Sequence, residues 1–156
     1  MKRLLLFLIS VALLAGCSFF DAEVPLDKLS FYFEEAIGPG ETNVSTVLTV
    51  IPNYGDRALE VNFERKYEVL PDDGQNLLNI GVVGGAHFDR FIALWPLLEE
   101  TEVEVVENVL FSVEVERADL AEGMLYQFEG EDDHPLGSAL YNFYSDLSAL
   151  FLQDIY

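Results

Sequence analysis

"LEVNFERKYEV", residues 59–69, decides how this chain folds. Leu59, Val61, Phe63, Tyr67 and Val69 share one face, with Arg65 the single exception. Glu60, Asn62, Glu64, Lys66 and Glu68 fill the other. A period of two held for eleven residues is a strand with one face buried and one in water. On a helix the same apolar residues would spread around the circumference and bury nothing together.

The neighbouring stretches extend the pattern. Upstream, "NVSTVLTVI" (43–51) is rich in β-branched residues, with Val47 and Ile51 on one side and Val44, Leu48 and Val50 on the other. "LSFYFEE" (29–35) alternates, placing Leu29, Phe31 and Phe33 together. "IGPGE" (37–41), "PNYGD" (52–56) and "PDDG" (71–74) are turns by their glycines and prolines. Downstream, Leu77–Val83 is an apolar strand closed by Gly84-Gly85, and "RFIALWPL" (90–97) is a further candidate strand. Residues 101–115 alternate valine with glutamate for too long to be one strand, so a break is expected near Asn108. "MLYQFEG" (124–130) adds another strand. Seven or eight strands separated by turn signals predict an all-β antiparallel sandwich over residues 26–136. Residues 137–156 change period: Leu140, Phe143, Tyr144, Leu147, Leu150 and Phe151 recur at helical spacing. They predict an amphipathic C-terminal helix packed on the domain, with Ser138 as its N-cap.

The start of the chain has a different character. Lys2 and Arg3 precede an apolar run from Leu4 to Leu14, followed by the small residues Ala15 and Gly16 and then Cys17, the only cysteine. Basic start, short apolar middle and small-residue end make a secretory signal over residues 1–16. The run is too short to span the ~20 residues of a membrane helix. Leu14-Ala15-Gly16-Cys17 resembles the lipobox of bacterial lipoproteins. That resemblance implies cleavage between Gly16 and Cys17 and acylation of Cys17, with residues 17–25 as a lipidated tether. In such proteins Ser18, rather than an aspartate, implies passage to the outer membrane when the source is Gram-negative. Two or three acyl chains hold a protein where one chain binds only reversibly. The partners expected are therefore the membrane, through Cys17, and other envelope proteins.

Charge sets further bounds. Removing Lys2 and Arg3 with the leader leaves 6 basic residues against 28 acidic ones, a net charge of −22. No Lys or Arg follows Arg117. Nucleic acid is excluded as a partner, because phosphate binding needs a basic footprint. Anionic lipid headgroups would repel the domain within a Debye length of ~8 Å. With 51% hydrophobic residues the chain is nevertheless a folding one. An acidic shell over such a core suits a saline habitat and equally suits solubility beside a crowded membrane.

No nucleophile elbow, phosphate loop or His-Glu-x-x-His helix is present, and no catalytic residue and no cofactor are expected. The weak metal candidates are Glu131, Asp132, Asp133 and His134, an oxygen-rich run of the kind calcium takes, which reads equally as a solvated turn. His87 with Asp89 has the residue types of an acid–base pair, and Trp95-Pro96 offers an aromatic to a partner or to the core.

The middle of the chain resembles the type 2 late-embryogenesis-abundant family, also called the water-stress-and-hypersensitive-response (WHy) domain. "VLTVIPNYGDRALEV" is similar to its strand, Asn-Pro-Asn turn and next strand, and "YEVLPDDGQNLLNIG" to the strand, turn and glycine that follow. "EVEVVENVLFSVE" and "LYQFEG" fit its later strands, so that residues 26–130 are covered. The resemblance implies an immunoglobulin-like or fibronectin-III-like sandwich and a non-catalytic role in tolerating desiccation or other stress. The expected protein is thus an envelope lipoprotein with a stress-protective or protein-interaction domain. An adaptor or assembly subunit of an outer-membrane complex is the alternative, and a metal-dependent hydrolase a third reading.

Overall fold

A computed structural model describes residues 26–37, 42–68, 76–104, 106–130 and 134–152. The leader, Cys17 and its tether, most of "IGPGE", all of "PDDG", Val69, Val105, and Glu131, Asp132 and Asp133 lie outside the described residues.

Six strands form one antiparallel sheet: β1 (Leu26–Ile37), β2 (Thr42–Asn53), β3 (Ala58–Tyr67), β4 (Leu77–Gly84), β5 (Phe111–Arg117) and β6 (Met124–Phe128). Their order across the sheet is β4-β3-β2-β1-β5-β6. The alternation read in the sequence sets the two faces. Leu29, Phe31 and Phe33 of β1, Leu48 and Val50 of β2, Leu59, Val61 and Phe63 of β3, and Phe111, Val113 and Val115 of β5 all point into one core. A bulge at the start of β1, where the register with β5 shifts between Leu26 and Lys28, turns Leu26 to the same side. β3 runs unbroken through Arg65, the residue out of pattern.

Helices cover that face. α1 (Ala86–Ala93) and α2 (Trp95–Glu100) carry the chain from the β4 edge across the sheet towards β5, burying Phe88, Phe91 and Leu98. α3 (Pro135–Leu152) lies on the same core and buries Leu136, Leu140, Phe143, Leu147 and Phe151. Each such side chain contributes roughly 1.5–3 kcal/mol by leaving water.

The antiparallel sheet and the C-terminal helix agree with the sequence reading. The second sheet of a sandwich is not found among the described residues, where a helical layer takes its place. Two segments account for the difference. "RFIALWPL", read as a strand, is the end of α1 and the first half of α2; Phe88, Phe91, Leu94 and Leu98 recur at helical spacing and are buried. Residues 101–110, read as a strand, form an irregular connection in which Val103, Val109 and Leu110 are exposed. Within α3, Tyr144 and the expected apolar stripe face the core, except Leu150, which is exposed. The helix begins three residues before Ser138, with Pro135 at its first position. His134 does the capping expected of Ser138: its Nδ1 accepts the backbone N–H of Leu136 at 3.0 Å.

Candidate functional site

An acidic cleft of about 480 Å³ lies between the end of α2, the irregular connection and the exit of β6. Three of its carboxylates, Glu100, Glu102 and Glu104, come from the first turn beyond Leu98 and the segment that follows. Glu129 enters from the end of β6, and His134 from the cap of α3. The floor is aromatic. Phe128 stacks on Phe111 at 4.8 Å, and the Tyr126 hydroxyl donates to the Leu98 carbonyl at 3.2 Å. Burial pushes the Tyr126 phenol above its ordinary range.

Four carboxylates around one imidazole attract cations. Among the described residues, however, no group of three or more His, Cys, Asp or Glu side chains is close enough to hold a metal ion. Of the weak metal candidates, His134 is at the rim of the cleft, with Nδ1 committed to the helix cap, and Glu131, Asp132 and Asp133 are outside the described residues.

The structure does not bring His87 and Asp89 together as a pair. Both are on α1, and residues two apart on a helix do not face each other. Asp89 instead binds the Arg57 guanidinium at 2.5 Å, and that guanidinium lies over the Phe88 ring at 5.3 Å. His87 Nδ1 is buried with no hydrogen-bond partner among the described residues. Trp95 packs against the core, with the Arg117 guanidinium 4.6 Å above its ring, so it offers no free aromatic face there.

The sequence reading missed the part of the cleft built by Glu100, Glu102 and Glu104. Alternation with valine made the latter two look like the wet side of a strand. The signal available was the helical spacing of Phe88, Phe91, Leu94 and Leu98, which ends at Glu100 and leaves the next residues free to turn. No helix of the described residues is long and apolar enough to cross a membrane.

Compared with known protein families, with curated proteins and with solved structures, the chain has no significant match in any of the three.

Proposed function

We propose that this is a lipid-anchored, non-catalytic protein of the cell envelope whose acidic domain acts as an interaction module. The observation that carries the reading is Leu14-Ala15-Gly16-Cys17 behind a basic and apolar leader, with the first strand opening at Leu26, nine residues beyond the cysteine. Acyl chains on Cys17 hold the protein to the bilayer. The net charge of −22 that remains after the leader is removed keeps the domain off anionic headgroups, so it works at the length of its tether. In a Gram-negative source Ser18 favours the outer membrane, facing the periplasm.

Two versions of the role follow. The resemblance to the type 2 late-embryogenesis-abundant family, with its sandwich, supports protection of neighbours under water stress. The acidic cleft lined by Glu100, Glu102, Glu104 and Glu129, open to a partner with basic side chains, supports an adaptor or assembly subunit, and the geometry favours this version.

Replacing Cys17 by serine tests the anchor. The variant is expected to leave the membrane pellet, and a variant that sediments at the same mature size overturns the reading. Crosslinking in cells with mass spectrometry separates the versions, since one stoichiometric partner marks an adaptor and many transient ones mark a protectant.

A further inference from the structure

Among the described residues, β4 is an edge strand without the usual protection. Edge strands are blunted by charge, proline, bulges or short length, because their free N–H and C=O groups template further pairing. β4 is eight residues long, pairs with β3 without a register shift, and contains no proline. It lies in a stretch, residues 74–86, with no Asp, Glu, Lys or Arg, in a chain that is 23% charged. Its outward side chains are all apolar and all exposed: Leu78 at 61%, Ile80 at 74% and Val82 at 69%. The opposite edge is managed conventionally, since β6 has only five residues.

We propose that β4 pairs antiparallel with β4 of a second copy of this chain across a two-fold axis at Ile80. The exposed residues Leu78, Ile80 and Val82 are apolar read in either direction, and Asn79 faces Gly81 on the other side of the strand. Leu78 faces Val82 of the other copy, Ile80 faces its own equivalent, and Val82 faces Leu78. One interface repeats the same contacts on both sides, as a two-fold requires. The two six-stranded sheets become one of twelve.

Charge selects this occupant. A basic partner is drawn to the acidic faces rather than to a strip without charge. Two copies of an acidic domain can meet only where like charges stay apart. Among the described residues, the outward-facing carboxylates paired with this edge, Glu60 and Glu64, are one strand in, on β3. Across the pairing, β3 and its equivalent are three strand spacings apart, about 14 Å. That exceeds the Debye length of ~8 Å at physiological salt. Glu64 is also paired with Lys66 at 2.8 Å. Beneath the edge, Phe151 packs on Gly81, and Asn79 Nδ2 donates to the Phe151 carbonyl at 2.7 Å. These contacts from α3 hold β4 in its extended form for pairing. The inference does not depend on the lipid anchor.

Disulfide trapping in the full chain tests it. Opposed residues in an antiparallel pair have Cα atoms about 4.5–5.5 Å apart, within the range a disulfide spans. Ile80→Cys is expected to give a covalent dimer of twice the chain mass under mild oxidation. Leu125→Cys, on the outward face of β6 and 45% exposed, is expected to give no more dimer than the parent chain with Cys17 alone. Register is tested separately. Leu78→Cys and Val82→Cys should each give no covalent dimer alone and crosslink to one another when co-expressed. Equal crosslinking of all variants, failure of both Ile80→Cys and the mixed pair, or a product with the mass of a different protein overturns the proposal. Circular dichroism of each variant confirms that the sheet has formed.

Discussion

Gly137 shows at the residue scale how tightly the helical layer meets the sheet. A Cβ there would sit 2.8 Å from the Phe128 ring. Helix propensity favours alanine over glycine by about 1 kcal/mol. The ring cannot retreat, because its far side stacks on Phe111 at 4.8 Å. Overpacking therefore wins: Gly137→Ala is expected to lower stability by about 1–3 kcal/mol in urea unfolding. In a Phe128→Leu background the penalty should shrink. Tyr144 gives a second residue-scale prediction. It stacks on Phe33 at 4.1 Å, and burial pushes its phenol up to about 12. A free tyrosine ionises near ~10. The folded state thus favours the neutral phenol, a contribution complete below pH 10 and lost as pH rises from 10 to 12. Urea midpoints at pH 9 and pH 11 should fall less for Tyr144→Phe than for the parent, and equal falls would refute this. Of the acidic cleft, His134 stood out in the sequence because charge clustered around it. Glu100, Glu102 and Glu104 did not, since what makes them neighbours of β6 is a crossing connection, and a crossing leaves no periodic trace.

The elements that could be read correctly were those whose signal is local. β1, β2, β3 and α3 each alternate or recur over ten residues or more, and a run of that length has one period that buries its apolar side. α1 and α2 are eight and six residues long, and "FIALWPLL" is apolar enough to satisfy either period. The valine–glutamate stretch after them had strand chemistry but finds no sheet partner, and only tertiary structure decides that. The consequence for stability is concrete. A sandwich would survive loss of its C-terminal helix, whereas here α3 is much of the second layer. Truncation ahead of Pro135 is expected to abolish the cooperative thermal transition in circular dichroism. Leu140→Ala and Leu147→Ala, at fully buried positions, should each cost about 2–5 kcal/mol. A truncated chain that melts cooperatively with an intact sheet signal would mean that the strands stand alone.

At the scale of the whole molecule, the acidic excess acts against the fold that carries it. Ion pairs such as Lys28 with Glu116 and Arg90 with Asp146 use the few cations available. The remaining carboxylates repel one another, and salt screens them. Raising sodium chloride from 10 mM to 0.5 M should therefore raise the melting temperature. For a domain of this size a gain of 1 kcal/mol corresponds to about 2–8 °C. A midpoint that falls with salt would show that the ion pairs outweigh the repulsion. The strand order has a consequence for biogenesis. β1, the first strand, ends in the middle of the sheet, with β2 on one side and β5 on the other. A chain threaded amino-terminus first through a translocation pore can lay down β1 to β4 as successive hairpins. Its greasy underside then has only the partial cover of α1 and α2 until α3, reached after all six strands, has emerged. A polypeptide caught in that interval presents unburied apolar surface, and how long it does so is set by how fast its last third is delivered.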